Sequence, residues 1–204
     1  MKPIKKIALL HSLCSVGKAS ITNMTPILSV LGVEPCPLPT VLMSTHTGGY
    51  GMPAIQKTSV EFVRACADHY CDNGVVFDMI FVGYLGSIEM AEAALYFLSK
   101  FPNAKVCIDP IMGDHGAFYS NLGQAYACAY EILLPYADIL LPNLTEVCLL
   151  TGVTYSDTME AEEIYHICAK LIEKGVKQVV LTSVPNINGK KGIALCKDSV
   201  NEIY

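Results

Sequence analysis

Short apolar runs alternate along the chain with stretches in which apolar residues recur three and four positions apart. The runs at residues 4–11 and 104–109 predict strands that are buried on both faces, as in a parallel sheet. The spaced positions predict amphipathic helices, and the clearest of these follows the Asp157–Glu160 capping box and ends at Lys174. Strands that alternate with helices predict one α/β domain over residues 1–204, with parallel, right-handed βαβ units.

The same patterns place the other elements. Further helices are predicted at residues 19–31 with a kink at Pro26, at 53–71, 87–100 and 121–134, and from Asn143 onward. Further strands are predicted at residues 33–44, 78–84, 138–141, 177–183 and 192–197. Pro53 and Ser87 mark two of the helix starts, because proline suits the first helical turn and serine suits the N-cap.

Composition narrows the class of protein. Hydrophobic residues make up 52% of the 204 residues and charged residues 16%, which excludes a disordered chain and fits a large buried core. The formal net charge is −5 and the lysines are scattered, so no nucleic acid partner is expected. No apolar stretch approaches the ~20 residues of a membrane-spanning helix, so no membrane partner is expected. Nine cysteines without framework spacing predict free, mostly buried thiols in a reducing cytoplasm.

Two carboxylates accompany the predicted strand at residues 104–109. Asp109 ends this strand and Asp114 lies in the loop beyond it. Ligands of parallel sheets bind at the carboxyl ends of strands, and Mg²⁺ is held by one or two carboxylates together with several waters. The pair therefore indicates a metal site, with one alternative left open. In that alternative Asp109 caps the loop and Asp114 is a solvated turn residue.

Asn143 and Glu146 follow the predicted strand at residues 138–141. Their pattern, N-x-x-E, is a helix capping box, and on the sequence alone that interpretation is favoured. The alternative places Glu146 on a metal ion or in its water shell, which again fits the carboxyl end of a strand.

The segment SVGKAS near the start of the chain is similar to part of a nucleotide-binding P-loop. The full pattern needs glycine where Ser12 stands and serine or threonine where Ala19 stands, so the P-loop is rejected. A strand-to-helix turn remains, with the hydroxyl of Ser12 as a contact for a small polar ligand. His11 and His46 stand at loop edges as further hydrogen-bonding groups, although a single loop histidine is more often structural.

Taken in order, the motifs of the chain resemble those of the pyridoxal (vitamin B6) kinase family, which belongs to the ribokinase-like superfamily. The matching segments are SLCSVGKAS with ITNMTPILSVLG, PLPTVLMSTHTGGY, VGYLGS, DPIMGD, ADILLPNLTE and VVLTS. The resemblance implies a three-layer α/β/α fold with a mainly parallel central sheet. It also implies phosphorylation of the 5′-hydroxymethyl group of pyridoxal, pyridoxine or pyridoxamine by ATP, with Mg²⁺, in a homodimer that salvages the vitamin.

The resemblance carries the family's site residues over position by position. The substrate-binding positions are matched by Ser12, Thr47 and Tyr84. The positions beside the nucleotide phosphates are matched by Asp114, Asn143, Thr182 and Ser183. The metal-binding positions are matched by Asp109 and Glu146.

Two departures from the family pattern bear on activity. Leu141 takes a position where some relatives have threonine before Pro-Asn, which removes one expected phosphate contact. The Gly-x-Gly-Asp motif, whose aspartate is the family's general base, does not occur in the 204 residues, and the resemblance places it beyond Tyr204. We therefore expect the chain to lack the C-terminal part of the fold and to have negligible kinase activity by itself.

Two alternative functions stay open. The first is a hydroxymethylpyrimidine kinase of thiamine synthesis, which shares the fold and the order of the motifs. The segment STHTGGY argues against it. The second is a truncated, non-catalytic chain that binds a B6 vitamer.

Overall fold

The computed structural model describes residues 4–120, 122–187, 190–197 and 200–204. The chain forms two compact units, Met1–Val106 and Cys107–Tyr204. The single domain expected over residues 1–204 remains a prediction.

The first unit contains a mainly parallel sheet. Its elements in chain order are β1 (Lys6–Val16), α1 (Ile21–Val30), β2 (Glu34–Thr45), β3 (Ile55–Lys57), α2 (Val60–Asp72), β4 (Met79–Val82) and α3 (Ile88–Lys100). The strand order is β4-β1-β2-β3, in which β1 is parallel to β4 and β2, and β3 is antiparallel to β2. The carboxyl ends of β1, β2 and β4 therefore lie at one edge of this sheet.

Strand β1 is longer than the sequence pattern predicts. Its residues Leu9 and Leu10 are fully buried, as a central parallel strand requires. The predicted strand ends at His11, but the observed strand continues to Val16 because its later residues pair with β2. A bulge between His11 and Ser12 shifts the register by one residue. Ser12 pairs with Val41 of β2 beyond this bulge, so it lies inside a strand and not in the predicted turn.

The helix predicted from Pro53 begins later, at Val60. Residues Ile55–Lys57 form β3 instead, because their backbone pairs with β2 at the edge of the sheet. Ser59 is the N-cap of α2, and its side chain accepts a hydrogen bond from the backbone N–H of Phe62 at 3.1 Å. The start of this helix is therefore set by the serine cap and not by the proline.

The other two helices of the first unit agree with the prediction. Helix α1 occupies Ile21–Val30 of the predicted residues 19–31 and contains Pro26, and the kink expected at this proline stays a prediction. Helix α3 begins after Ser87, whose side chain accepts a hydrogen bond from the backbone N–H of Met90 at 3.3 Å. Phe97 on the buried face of α3 lies against Phe77, with ring centroids 5.9 Å apart, so aromatic packing joins this helix to the core.

The second unit continues the α/β pattern and then adds antiparallel strands; its first strand, β5, begins two residues before the boundary between the units. Its elements are β5 (Lys105–Ile108), β6 (Gly113–Asp114), β7 (Ala117–Phe118), α4 (Gln124–Glu131), a 3₁₀ turn (Leu134–Tyr136), β8 (Ile139–Leu140), α5 (Leu144–Thr151), α6 (Ala161–Glu173), β9 (Val179–Ile187), β10 (Lys190–Lys197) and β11 (Val200–Ile203). Strands β5, β8 and β9 are parallel, whereas β9, β10 and β11 pair in antiparallel fashion. Strands β6 and β7 form a separate hairpin. The sequence did not predict β11.

Two helix boundaries of the second unit differ from the prediction. The helix expected at residues 121–134 is the shorter α4, and residue 121 lies outside the described residues. The capping box expected at Asp157–Glu160 is formed one turn later, where the side chain of Glu163 accepts a hydrogen bond from the backbone N–H of Glu160 at 2.8 Å. The sequence spacing of α6 predicts an apolar face at Ile164, Ile167, Cys168, Leu171 and Ile172. The first four are buried and Ile172 is partly exposed.

The cysteines and the helix lengths can be compared with the expectations of free, mostly buried thiols and of no membrane-spanning helix. All nine cysteines are free and five of them are buried, namely Cys14, Cys107, Cys148, Cys168 and Cys196. The longest helices in the described part of the chain have 13 residues. None of the described helices combines the length and the apolar character needed to span a bilayer.

Candidate functional site

The second unit carries an open cleft of about 430 Å³ next to the carboxyl ends of β5 and β8. Six of its lining residues are those predicted for metal and nucleotide, namely Asp109, Asp114, Asn143, Glu146, Thr182 and Ser183. Its other lining residues are Ile111, Tyr119 and Leu141. The structure therefore brings these six predicted residues to one cleft, at the carboxyl edge where parallel sheets bind ligands.

Glu146 is both a helix cap and a cleft residue. It occupies the third position of α5, where Oε2 accepts a hydrogen bond from the backbone N–H of Asn143 at 2.8 Å. The backbone N–H of Glu146 in turn donates to Oδ1 of Asn143 at 2.9 Å, which completes the capping box. Oε1 accepts from the backbone N–H of Met112 at 3.2 Å, and the residue is only 3% exposed. The capping interpretation is confirmed, and the metal role of the same carboxylate stays a prediction.

Asp109 and Glu146 are two acids in surroundings that disfavour charge. Burial raises the pKa of Asp109 from its usual 3.8 to about 7. Burial, and then the negative charge of Asp109, raise the pKa of Glu146 to about 8, although its backbone hydrogen bonds oppose the change. The described lining of the cleft contains no lysine, arginine or histidine. The lining therefore supplies no positive charge to offset the two carboxylates.

The donor set of the cleft fits a cation that keeps much of its water. Within the described residues there is no group of three or more His, Cys, Asp or Glu side chains that could enclose a metal ion. Mg²⁺ needs no such cage, because it commonly binds one or two carboxylates together with waters and phosphate oxygens. The buried carboxyl of Glu146 and the partly buried carboxyl of Asp109 are therefore compatible with Mg²⁺ and do not suit a closed zinc site.

Asp114 reaches the cleft from the hairpin of β6 and β7. Its side chain is 53% exposed, as expected for a residue at the mouth of the cleft. The amide of Asn143 donates to the carbonyl oxygen of Gly113 at 2.9 Å, and the backbone N–H of Gly116 donates to Oγ1 of Thr145 at 2.9 Å. These two bonds fasten the hairpin to the first turn of α5, so Asp114 is held in place although it is solvated.

Tyr119 lines the cleft, and the sequence analysis missed it. Its backbone N–H donates to the carbonyl oxygen of Met112 at 3.0 Å, which anchors the end of the hairpin. Burial raises the pKa of its phenol above the usual 10, and the negative charges of Glu146, Asp114 and Asp109 add to this effect. The phenol is therefore a neutral hydrogen-bond donor at neutral pH. No motif links this tyrosine to the two aspartates, so the sequence offers no signal for it.

Thr182 and Ser183 reach the cleft from within β9, which continues to Ile187 and does not end at Ser183 as predicted. The backbone N–H of Thr182 donates to the carbonyl oxygen of Pro142 at 2.8 Å, and a short parallel bridge pairs Thr182 with Asn143. Ser183 has a φ of 61°, a left-handed conformation that is uncommon for serine. It is exposed at the cleft, so its hydroxyl is available to a ligand.

The first unit holds a second group of polar residues around β1. Ser12 is only 3% exposed, and its hydroxyl donates to Oγ of Ser20 at 2.9 Å. Its backbone N–H donates to Nδ1 of His11 at 2.7 Å. The backbone N–H of Tyr84 donates to the same nitrogen at 3.3 Å. Two of the three predicted substrate contacts, Ser12 and Tyr84, are thus joined through His11.

The ring of His11 is a buried, neutral acceptor. Because Nδ1 accepts two backbone N–H groups, it carries no proton, and the ring proton is on Nε2. Burial lowers the pKa of His11 from 6.5 to about 4, so the ring stays neutral near pH 7. Gly83 leaves room for the ring, since a Cβ at that position would lie 2.4 Å from Cδ2 of His11. Because His11 and Gly83 are far apart in the chain, no local sequence pattern predicts their contact.

The loop that carries Tyr84 is fastened to β2. Oγ1 of Thr40, which is fully buried, donates to the carbonyl oxygen of Tyr84 at 2.6 Å. Gly86 has a positive φ of 77°, and a Cβ there would lie 2.3 Å from a methyl group of Val41. The side chain of Tyr84 packs against a buried cluster formed by Cys14, Val41 and Met43. The tyrosine is therefore held by both backbone and side-chain contacts.

Thr47, the third predicted substrate contact, lies in an exposed loop. Its hydroxyl makes no hydrogen bond with a described residue, and its place in a pocket stays a prediction. The neighbouring His46 is better fixed. Its Nδ1 accepts a hydrogen bond from the backbone N–H of Gly48 at 3.1 Å, and the centroids of the His46 and Tyr50 rings are 5.1 Å apart. A Cβ on Gly17 would lie 2.3 Å from the His46 ring, so this loop rests on the turn after β1 through His46.

Comparison with known proteins identifies the relatives of the chain. The sequence model of the phosphomethylpyrimidine kinase family matches residues 27–201. A pyridoxal kinase from Arabidopsis thaliana is 30% identical over 166 residues, which cover 77% of this chain and 51% of the relative. A structure from Bacteroides thetaiotaomicron, named for phosphomethylpyrimidine kinase and crystallised with pyridoxal, matches with a TM-score of 0.91 and 32% identity over 98% of this chain and 71% of that chain. A pyridoxal kinase structure from Lactobacillus plantarum matches with a TM-score of 0.87 and 29% identity over 99% of this chain and 71% of that chain.

These matches confirm the expected ribokinase-like α/β fold with its mainly parallel sheet. The chain spans about half the length of the curated relatives it matches. The family match covers all but the first 26 and the last three residues of the chain. The polar cleft and the polar group around β1 thus belong to a member of the phosphomethylpyrimidine kinase family, whose relatives here include pyridoxal kinases.

Proposed function

We propose that the protein is a B6-vitamer kinase, which transfers the γ-phosphoryl group of ATP to the 5′-hydroxymethyl group of pyridoxal, pyridoxine or pyridoxamine. The observation that carries the proposal is the cleft of the second unit, where the buried carboxyl of Glu146 and the partly buried carboxyl of Asp109 line the same space as neutral amide and hydroxyl groups. Phosphoryl transfer is catalysed mainly by positioning and by stabilisation of charge, and this donor set suits both. Pyridoxal in the Bacteroides crystal and the pyridoxal kinases among the relatives support a B6 vitamer as acceptor.

Asp109 and Glu146 would hold Mg²⁺, directly or through water. When bound, the ion neutralises part of the charge on the phosphates of ATP. Burial alone shifts the pKa of Asp109, and no hydrogen bond from a described residue favours its charged form. Glu146 by contrast already accepts two backbone N–H groups. A bound cation would therefore stabilise the charged form of Asp109 more than that of Glu146.

The nucleotide phosphates would lie along Asn143, Thr182 and Ser183. The hydroxyl of Ser183, the second amide hydrogen of Asn143 and the phenol of Tyr119 would donate to phosphate oxygens. The hydroxyl of Thr182 donates to the carbonyl oxygen of Pro142 at 3.3 Å and would have to give up this long bond to do the same. Asp114 at the exposed mouth of the cleft would contact the water around the ion. Backbone hydrogen bonds hold most of these residues before any ligand arrives, which lowers the cost of ordering them.

The vitamer ring would bind at Ser12 and Tyr84 in the first unit. The hydroxyl of Ser12 is buried and fixed by its neighbours, so it suits a directional bond to a ring substituent. Tyr84 is partly exposed, and its packed ring offers an apolar surface for a flat ligand. Thr47 would be the third contact. It lies in the same loop as His46, whose ring packs against the turn after β1.

Hydroxymethylpyrimidine kinase is the second candidate function. The observation that favours it is the family match itself, which bears the name of phosphomethylpyrimidine kinase. Both acceptors are heteroaromatic rings with a hydroxymethyl group. The cleft proposed for the phosphates therefore does not distinguish the two acceptors. The residues that contact the acceptor ring would determine which one is bound.

Ligand binding by the 204-residue chain separates the two candidates. Calorimetric titrations with pyridoxine and with hydroxymethylpyrimidine should show pyridoxine binding at least ~10-fold tighter, a difference of about 1.4 kcal/mol. Binding of ADP should require Mg²⁺ and should be lost in Asp109→Asn, whereas Glu92→Gln on the exposed face of α3 should change nothing. Tighter binding of hydroxymethylpyrimidine would reverse the assignment. Absence of binding by either ring would refute a kinase of either kind.

The proposal includes a homodimer in a reducing cytoplasm. Nine free thiols are compatible with a reducing compartment. Helix α1 and its C-cap expose Ile27, Val30 and Leu31, the last two by 87% and 70%, and a second copy of the chain would cover such a surface. Light scattering of the purified chain gives the test, since a monomeric mass at concentrations of ~100 μM would remove the homodimer from the proposal.

A further inference from the structure

Ser20 has a backbone conformation that serine rarely adopts. Its φ is 58° and its ψ is −134°, a combination that glycine occupies readily and that a Cβ makes unfavourable. Ser20 precedes α1 as its N-cap, yet its side chain makes no capping hydrogen bond to the helix. The residue therefore gains nothing locally from its side chain, and strain that persists in this way is a reason to look for a role in function.

The hydroxyl of Ser20 is directed instead at Ser12. The two oxygens are 2.9 Å apart, with Ser12 as donor. The direction of this bond follows from His11, whose Nδ1 already accepts the N–H groups of Ser12 and Tyr84 and lies 3.3 Å from the Ser12 hydroxyl. The hydroxyl proton of Ser12 is therefore better placed toward Oγ of Ser20 than toward Nδ1 of His11, which already accepts two hydrogen bonds.

The direction of the hydrogen bond between Ser12 and Ser20 determines which ligand groups each hydroxyl can bind. With its proton given to Ser20, the oxygen of Ser12 offers only lone pairs, so it is an acceptor for a ligand. The hydroxyl of Ser20 keeps its own proton and can donate. Cys14 also lies beside both hydroxyls, but a thiol is a weak hydrogen-bonding group and does not reverse this order.

We propose that Ser20 is a specificity-determining residue of the vitamer site, because it holds the Ser12 hydroxyl as an acceptor for a ring substituent that donates a proton. The inference rests on the proposed function and deepens it. Pyridoxine supplies such a donor at its ring hydroxyl or, in its zwitterionic form, at its ring N–H⁺. 3-Deoxypyridoxine has no hydroxyl from which the ring nitrogen could take that proton, so near neutral pH it supplies neither donor. Loss of the Ser20 hydroxyl frees the proton of Ser12 to rotate, so the site no longer discriminates between the two ligands.

Glycine and alanine at position 20 separate the binding role from the strain. Ser20→Gly removes the hydroxyl and relieves the backbone, so the midpoint of thermal unfolding should rise by about 2–4 °C. Ser20→Ala removes the hydroxyl and keeps the strain, so it should bring no such rise. Both variants should weaken pyridoxine binding by about 2–10-fold, which is the effect of one ordinary hydrogen bond. Neither should weaken the binding of 3-deoxypyridoxine.

Lys18→Gly is the matched control, because Lys18 also has a positive φ, 49°, and its exposed side chain makes no hydrogen bond with Ser12. It should raise thermal stability without changing affinity for either ligand. Unchanged pyridoxine affinity in both position-20 variants, or an equal loss for both ligands, would overturn the inference while the proposed function stands. A wild-type chain that binds no pyridoxine would refute the proposed function, and this inference with it.

Discussion

Replacing Asp109 by asparagine should stabilise the protein at alkaline pH when no divalent ion is present. The carboxyl has a pKa of about 7 in the folded protein against its usual 3.8, because burial disfavours its charge. The folded state thus binds this proton more tightly than the unfolded chain does. Its contribution to stability is complete below about pH 3.8 and is lost as the pH rises through 7. Above pH 7 the protein carries the full cost of the buried charge, and asparagine avoids it.

The size of the effect follows from the two pKa values. Their difference corresponds to at most ~4 kcal/mol, at about 1.36 kcal/mol per pKa unit. The side chain keeps some contact with solvent in the cleft, so we expect about half of this, ~2 kcal/mol. For a chain of this length that corresponds to an increase of about 4–8 °C in the midpoint of thermal unfolding.

Urea unfolding between about pH 5 and pH 9, in the presence of a chelator, is the direct assay. The advantage of Asp109→Asn should grow with pH and should vanish when Mg²⁺ is added at saturation, because the ion stabilises only the wild-type chain. Asp114→Asn is the matched control, since it makes the same chemical change in the same cleft on a side chain that is 53% exposed. An asparagine variant less stable than wild type at about pH 9, or an advantage that does not depend on pH, would refute the reasoning.

Three further predictions concern His11, Gly83 and catalysis. The imidazole resonances of His11 should not titrate above about pH 5, because burial lowers its pKa to about 4; its stabilising contribution is present above pH 6.5 and is lost as the pH falls toward 4. A midpoint near 6.5 in that NMR titration would show the ring to be solvated. Gly83→Ala should destabilise the chain by about 1–3 kcal/mol in urea unfolding, because the new Cβ would lie 2.4 Å from the His11 ring, and unchanged stability would contradict that contact. A coupled assay of the 204 residues with pyridoxal and MgATP should show negligible turnover, since they contain no Gly-x-Gly-Asp. Turnover in the ordinary enzymatic range of ~1–10³ s⁻¹ would show that another group replaces the base.

The sequence located the cleft because the location depends on topology. Alternation of strands and helices predicts parallel strands, and parallel strands bring Asp109 and Asn143 to one edge wherever the exact boundaries fall. The same reasoning could not choose between the two roles of Glu146. One carboxylate caps α5 and faces the cleft, so both interpretations predict the same residue.

Tertiary pairing explains most of what the sequence missed. Residues Ile55–Lys57 are extended because β2 offers them a partner, and no local pattern shows that partner. The continuation of β1 beyond His11 has the same cause. The bond between the Tyr84 N–H and His11 joins residues 73 positions apart, and Tyr119 enters the cleft through the shape of its hairpin. Such contacts follow only from the assembled fold.

The helix cap at Glu146 bears on which divalent ion the cleft would prefer. Each oxygen of this carboxylate already accepts a backbone N–H, from Met112 at 3.2 Å and from Asn143 at 2.8 Å. Chelation of an ion by both oxygens would compete with these two bonds for the lone pairs of the carboxylate and would weaken the cap of α5. Calcium favours six to eight oxygen ligands and often takes a carboxylate in that two-oxygen mode, whereas magnesium accepts single oxygens and water. The two bonds that start this helix would in this way disfavour the larger ion.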